Sequence, residues 1–318
     1  MSQEGPHSEL TPLSWSDVRR LKPSIVALGN FDGVHLGHAR ILDALVSEGR
    51  AASLDPVVVT FEPHPRYFFK PQEKPSLLTT PREKWEQLRK WPITIVSLAF
   101  NKSLAELQPE AFIKDFLQDR LMGRRFLLGR DHHFGKGASG DFALLQAHVT
   151  DANRNVTMLE PYRLNEEVVS SSAIRIHLEA SRLESANRLL GRPFSYFGKV
   201  VKGEGRGRGL GFATANLELD YPYKAVVAYG VYGGKARVNG KEYIAVTNIG
   251  NNPTFAGQTQ KIEVHILDLD LNLYGQWLEF DLHLHIRPEF KFASVTELKQ
   301  QISQDVNTTR HYFSSKLL

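Results

Sequence analysis

The stretch from Ile25 to Val46 constrains this chain more than any other. Ile25-Val26-Ala27-Leu28 is a short apolar run that reads as a buried strand. Gly29-Asn30-Phe31-Asp32-Gly33-Val34-His35-Leu36-Gly37-His38 follows, and Ala39 to Val46 then reads as a helix with Ile41, Leu42 and Leu45 facing inward. The ten residues between them are the turn from the carboxyl end of a strand into a helix, the place where open α/β sheets bind ligands. Unpaired N–H groups at a helix start attract phosphate. Gly29, Gly33 and Gly37 permit a tight turn and close approach of a ligand. His35 and His38 are three apart and share one face of the first turn. Two imidazoles there suit a triphosphate and the charge that builds when it is attacked. On these residues alone, a Gly-rich turn with two solvated histidines and a metal-binding His pair stand beside that reading.

The same alternation continues through the first half. Pro56–Phe61, Ile93–Leu98 and Arg125–Gly129 read as further buried strands. Pro81–Trp91 and Ser103–Met122 read as helices between them, with Pro81 suited to a first turn. Strands alternating with helices argue for a parallel sheet covered on both faces. Leu183–Leu190 is one more short helix, and Gly191-Arg192-Pro193 then breaks the helical pattern. From Phe194 the period changes to that of strands: Phe194–Val201, Val231–Val238, Tyr243–Ile249, Ile262–Leu267 and Leu278–Ile286. Successive strands without helices predict a closed antiparallel barrel, followed by a helix over Val295–Phe313. The expected organisation is a tail over 1–14, an α/β domain over 15–190 and a β-barrel domain over 191–318.

Composition excludes several classes. Among 318 residues there is no cysteine, so no disulfide, thiolate nucleophile or Cys-ligated zinc is possible. The net charge of +4 suits anionic ligands, and without a long Lys/Arg block no nucleic-acid partner is expected. No apolar run is long enough to span a membrane, and the start lacks an apolar signal core, so a soluble cytoplasmic protein is expected.

Three further stretches carry chemistry. Gly129-Arg130-Asp131-His132-His133-Phe134-Gly135-Lys136-Gly137 follows the fourth strand, either as a plain turn or as part of a ligand loop. In Val169-Ser170-Ser171-Ser172-Ala173-Ile174-Arg175 a serine can cap a helix, while Arg175 offers a fork of donors for pyrophosphate. Glycines alternate from Gly203 to Gly211 with Arg206 and Arg208 among them. They make either a flexible surface loop or a flap over phosphates. Thr214 and Asn216, two apart on an extended segment, point the same way. Both bear hard oxygen ligands suited to Mg²⁺ bound with phosphate. In Ile262-Glu263-Val264-His265-Ile266, Glu263 shares a face with His265.

The ten-residue turn resembles the H-x-G-H nucleotidyltransferase signature in the form found in bacterial bifunctional riboflavin kinase/FAD synthetases. Ser170–Arg175 is similar to that family's second adenylyltransferase motif, and Gly129–Gly137 to its flavin-nucleotide loop, with His132 and His133 where Phe and often Arg are usual. Gly207–Phe212 and Thr214-Ala215-Asn216 resemble the riboflavin kinase signature, with Ala213 and Val227 in place of prolines. Asn248–Phe255 and Arg287–Phe292 resemble two later segments of the same family. The resemblance implies a Rossmann-like nucleotidyltransferase domain followed by a barrel kinase domain. It implies ATP contacts at Gly29, Phe31, Asp32, Gly33, His35, His38, Ser170, Ser171 and Arg175 in the first half, and at Gly207, Arg208, Gly211 and Thr214 in the second. Flavin contacts are implied at Asp131, His132, His133, Phe134, Asn248, Arg287 and Phe290. Thr214 and Asn216 would hold Mg²⁺, Glu263 would be the base, and His35, His38 and Arg175 would handle the triphosphate. The implied substrates are riboflavin, FMN and ATP. Two rival readings are a flavin-binding or regulatory homologue with weakened catalysis and a metal hydrolase built on His35, His38, His64, His132 and His133.

Overall fold

Ile25, Val26 and Ala27 have no exposed surface, because their strand lies at the centre of a five-stranded sheet. The computed structural model describes residues 11–70, 76–149, 154–203, 207, 211–254, 257–269 and 271–315, without the side chains of 252–254 and 257–260. Its contacts divide into two units, Met1–Ser171 and Ser172–Leu318.

In the first unit β1 (Ser24–Leu28), β2 (Asp55–Glu62), β3 (Thr94–Ala99), β4 (Gly123–Gly129) and β5 (Asn155–Leu159) form a parallel sheet in the order β3-β2-β1-β4-β5. Alternate residues of one strand enter different cores, as a pleat requires. Ile25 and Ala27 pack with Leu42, Leu45 and Leu88, from α1 (Leu36–Ala52) and α3 (Pro81–Leu88). Val26 and Leu28 pack with Phe112, Ile113 and Phe116. Between α1 and α3 lies the short α2 (Pro65–Phe69). The single helix expected over Ser103–Met122 is three pieces: α4 (Lys102–Ala105), α5 (Pro109–Ala111) and a π-type helix over Phe112–Arg120. Pro109 has no N–H to continue a helix, so it starts a new one. α6 (Phe142–His148) precedes β5, and a small hairpin pairs β6 (Arg163–Leu164) with β7 (Glu167–Val168). Leu13, expected in the tail, bonds at both backbone groups to Ser97 and Ala99 of β3; residues 1–10 lie outside the described residues.

The second unit opens with α7 (Ser171–Glu179, whose first residue belongs to the first unit) and α8 (Leu183–Leu190). A closed antiparallel barrel follows. Its strands β8 (Phe194–Val201), β9 (Ala215–Leu219), β10 (Gly230–Val238), β11 (Lys241–Thr254), β12 (Gly257–Ile266) and β13 (Trp277–Pro288) are ordered β10-β11-β12-β9-β8-β13. The sequence predicts five of these six. Strand β9 coincides with the segment read for its ligand atoms and not for its pairing. α9 (Val295–Ser315) closes the unit.

The contact division falls at Ser171, ahead of α8, whereas the change of periodicity falls after it. The reason is packing. α8 buries Leu183, Ala186, Leu189 and Leu190, and its Asn187 donates to Leu282 O (2.8 Å) and accepts from Phe194 N (2.8 Å). A helix tied to two barrel strands belongs with the barrel in contact terms.

Candidate active sites

From β1 the chain builds β2 and β3 on one side and β4 and β5 on the other. The topological switch point of the sheet therefore lies between β1 and β4, and in such sheets the crevice beyond the strand ends at that point takes the ligand. The Gly29–His38 turn leaves β1 at this edge, and the Gly129–Gly137 loop leaves β4 at the same edge.

The β1 turn is bent hard. Phe31 (φ 50°), Gly33 (φ 87°) and Val34 (φ 38°) all lie in the left-handed region, which costs of order 1–3 kcal/mol at a non-glycine residue. The surroundings hold it there. The Asp32 carboxylate, 4% exposed, accepts from Leu78 N (2.9 Å), Thr79 N (3.2 Å) and the Thr79 hydroxyl (3.4 Å). The Thr79 hydroxyl accepts from Gly33 N (2.9 Å), and the Ser171 hydroxyl donates to Asp32 O (2.9 Å). Asp32 and Ser171, expected against ATP, are thus engaged in shaping the turn. Leu78 and Thr79 escaped sequence reasoning, since nothing in Leu77-Leu78-Thr79-Thr80 marks a partner 46 residues away.

His35 is buried and caps α1, its Nδ1 accepting from His38 N (3.3 Å). The two imidazoles stack with centroids 3.7 Å apart and 14° between planes, and the Phe31 ring lies 5.1 Å from that of His38. A Cβ at position 37 would stand 3.2 Å from the His35 ring and from Val169 O, so glycine is what lets the pair close up. Two stacked imidazoles at the first turn of a helix are suited to an anion. Ser170 precedes α7, and Arg175 lies one turn beyond Ser171 on that helix, in the second unit.

In the β4 loop Asp131 and His133 are exposed. Phe134, expected against flavin, is 6% exposed and packs on Phe112 (5.6 Å) with its backbone paired to Gly140, which makes it a core residue. His132 is half-buried, 6.4 Å from the Phe134 ring, and its Nε2 has no hydrogen-bond partner among the described residues. Burial pushes its pKa down to about 4, with His133 adding to the shift. His64 accepts from Arg66 N (3.2 Å) as the cap of α2. Among the described residues no three His, Asp or Glu side chains gather as a metal cluster, so the hydrolase reading finds no centre.

In the second unit, strand register does the assembling. Glu263 on β12 stands opposite Asn216 on β9 and opposite Asn248 on β11. One row across three neighbouring strands therefore carries a carboxylate between two amides, and residues directly opposite share a face. The Thr247 hydroxyl donates to Glu263 O (3.0 Å), and Lys261 Nζ sits 3.2 Å from Glu263 Oε1. Asn248 Nδ2 donates to Glu289 (2.9 Å). Thr214 lines a cleft with Val200, Ala213, Ala215 and Leu271–Tyr274. Gly207 and Gly211 (φ 88°) flank a stretch that includes Arg208, which lies outside the described residues.

Arg287 is placed otherwise than expected. Its Nε and Nη2 grip the Asp305 carboxylate (2.9–3.1 Å), its Nη1 donates to Pro288 O (3.2 Å), and its guanidinium lies over Phe290 (4.5 Å). That bidentate pair is nearly buried, so Arg287 fastens α9 to the barrel and holds Phe290 beside it. Val227, standing where the family has a proline, is held by a hydrogen bond. Its N–H donates to the Tyr196 hydroxyl (3.1 Å), which itself donates to Ala225 O (3.0 Å). A proline has no such hydrogen, so a hydrogen bond here takes over the restraint of the ring.

Comparison with known proteins covers both units. Residues 17–173 match the FAD synthetase family and residues 190–313 the riboflavin kinase family. The chain is 38% identical over 293 residues to the bifunctional riboflavin kinase/FMN adenylyltransferase of Escherichia coli K12, covering 91% of this chain and 92% of that protein. It is 34% identical to the protein of the same description from Listeria monocytogenes, covering 97% of each. A crystal structure from Streptococcus pneumoniae, described as a macrolide-efflux protein, superposes with a TM-score of 0.86 at 28% identity, covering 94% of this chain and 98% of that one. Among the described residues, no helix of this chain is long and apolar enough to cross a membrane.

Proposed function

The chain belongs to the family of bifunctional riboflavin kinase/FMN adenylyltransferases, and we propose that it performs both reactions in the cytoplasm, one on each unit. The barrel phosphorylates riboflavin with ATP, and the α/β unit joins FMN to AMP from a second ATP, releasing pyrophosphate. The observation that carries the reading is the register that sets Glu263 between Asn216 and Asn248 in one row of the barrel.

In the kinase step the terminal ribityl hydroxyl of riboflavin attacks the γ-phosphorus of ATP. The bond to the β–γ bridging oxygen breaks and ADP leaves. Glu263 accepts the hydroxyl proton. Lys261 pairs with its Oε1, and the proton goes to Oε2. The Thr214 hydroxyl and the Asn216 amide oxygen are hard donors, Asn216 opposite Glu263 and Thr214 two residues before it, and they fit Mg²⁺. Mg²⁺ held by these two residues would neutralise negative charge on the phosphates of ATP. Asn248 contacts the flavin from the neighbouring strand, and Phe290 borders the same end of the barrel.

In the adenylyl step a phosphate oxygen of FMN attacks the α-phosphorus of ATP, and the bond to the α–β bridging oxygen breaks. The nucleophile is already an anion, so no base is needed. The work is positioning and charge neutralisation. His35 and His38, with the first N–H groups of α1, hold the phosphates, while Asp32 and Ser171 keep the turn in shape. The assignment of Arg175 to the departing pyrophosphate rests on the sequence alone. His132 and His133 meet FMN at the β4 loop.

The test is to incubate the protein with riboflavin, ATP and Mg²⁺ and to separate the flavins by chromatography. FMN followed by FAD is expected. Recovery of riboflavin alone would refute the reading.

A further inference from the structure

We propose that His265 is a positioning residue of the kinase site, and that it fixes Thr214 and Asn216 in place for the metal–nucleotide complex. The proposal rests on the assignment of those two residues given above. The β12–β9 ladder pairs Ile262 with Leu217, Glu263 with Asn216 and Val264 with Ala215, and there it stops. The next pair in register would be His265 with Thr214. The imidazole takes over at this point. Its Nδ1 lies 2.8 Å from Ala213 O, and its ring meets the Phe212 ring edge-on, with centroids 5.5 Å apart and 85° between planes. A carbonyl oxygen only accepts, so Nδ1 carries the hydrogen.

One side chain thus holds two consecutive residues just before Thr214. His265 also shares the Glu263 face of β12, two residues along the strand. Upstream, Phe212 N donates to Gly207 O (2.9 Å). β9 is paired over three residues to β12 and over four to β8, where Asn216 is the end pair, so Ala213 and Thr214 lie beyond both ladders, and without the imidazole a segment past the last strand pairs frays. Fraying there displaces Thr214 from its cleft and loosens Asn216 opposite Glu263. The groups lost first are the two oxygen donors offered to the metal.

Two substitutions separate the contacts. His265→Phe keeps a ring against Phe212 and removes the donor to Ala213. His265→Gln keeps a donor and removes the ring. ADP is titrated calorimetrically into the full chain with and without Mg²⁺, and FMN formation is followed against Mg²⁺ concentration. FAD formation from FMN serves as an internal control. In His265→Phe the gain in ADP affinity that Mg²⁺ confers is expected to shrink about tenfold, the scale of one lost hydrogen bond. The Mg²⁺ concentration for half-maximal FMN formation should rise by a similar factor. The KM for riboflavin and the rate of FAD formation should stay within about twofold, and His265→Gln should recover part of the loss. An unchanged Mg²⁺-dependent gain in His265→Phe overturns the proposal. So does an equal loss of ADP binding with and without Mg²⁺ together with a lower melting temperature, which marks a merely structural histidine. If the wild-type chain forms FMN and the variants match it, only this proposal falls. If the wild-type chain forms none, the kinase reading falls with it.

Discussion

The turn after β1 and the row across β9, β12 and β11 solve the same problem by different means. In the proposed function both present polar groups to a phosphate-bearing ligand. The turn does so with left-handed backbone at Phe31, Gly33 and Val34, kept there by Leu78, Thr79 and Ser171 from distant parts of the chain. The row does so with ordinary strand pairing, where register alone sets Glu263 opposite Asn216 and Asn248. A site made of strained loop depends on residues that never touch the ligand. A site made of register depends on the ladder and on whatever holds its ends.

The largest effects are expected at the groups we propose to meet the reacting atoms. Glu263→Gln should lower FMN formation on the order of 10²-fold or more if proton removal matters in the transition state. Conversion of supplied FMN to FAD should persist. His38→Ala should do the converse, abolishing FAD formation and sparing FMN formation. Either variant losing both activities in steady-state assays would show that the two regions do not act independently.

Stability changes come next. Asp305→Ala leaves the Arg287 guanidinium buried without its bidentate partner. It should cost about 3–5 kcal/mol by urea denaturation of the barrel, as for other broken buried pairs. A change below about 1 kcal/mol would show that the pair is dispensable.

Thr79→Val tests remote support of the turn. It removes the acceptor of Gly33 N and a donor to Asp32 while keeping the shape of the side chain. Leaving such buried groups unmatched costs about 1–3 kcal/mol. AMP transfer should fall roughly tenfold or more if that cost is carried by the active turn, with FMN formation unchanged. Equal loss of both activities would mean that the turn is not held separately.

The smallest effect is at His132. Its pKa of about 4 keeps it neutral between pH 6 and 8, so it contributes no change in FMN affinity across that range. Its folded pKa lies below the ordinary 6.5 for histidine. The unfolded chain therefore binds the extra proton first, and this residue's contribution to stability falls as pH drops from about 6.5 to about 4. His132→Phe should flatten that part of the stability profile. By removing an unpartnered buried nitrogen and enlarging the ring, it should also tighten FMN binding, by about threefold. An unchanged profile between pH 4 and 6.5 would contradict the buried placement.

Much of this was readable before any coordinates. The apolar runs of β1, β2 and β4 are continuous because a parallel sheet is buried on both faces, and that signal is strong. The glycines and histidines of the first turn, and Glu263 on an alternating strand, announce chemistry by residue type and spacing. What stays hidden has no local signature. Thr79 supports Asp32 from 47 residues away, and no periodicity records it. Phe134 reads as a ligand ring in sequence and is core in space, because its neighbour Phe112 is brought in by a helix that Pro109 restarts. The buried stripe of α9 is Asp305, Thr309 and Phe313, too polar to read as a packed face until Arg287 supplies the partner. Asn187 hides the boundary similarly, because an asparagine that satisfies one strand carbonyl and one strand N–H looks like any surface residue. A fragment begun at Pro193 discards it and should unfold more easily than one begun at Ser172.

The central claim is that the barrel unit holds a complete kinase site of its own. The most direct test incubates a purified fragment, Ser172–Leu318, with riboflavin, ATP and Mg²⁺ and separates the flavins by chromatography. FMN should accumulate at a rate near that of the full chain, with no FAD even after all riboflavin is consumed. A fragment that is folded by circular dichroism yet forms no FMN, or one that forms FAD, would contradict it.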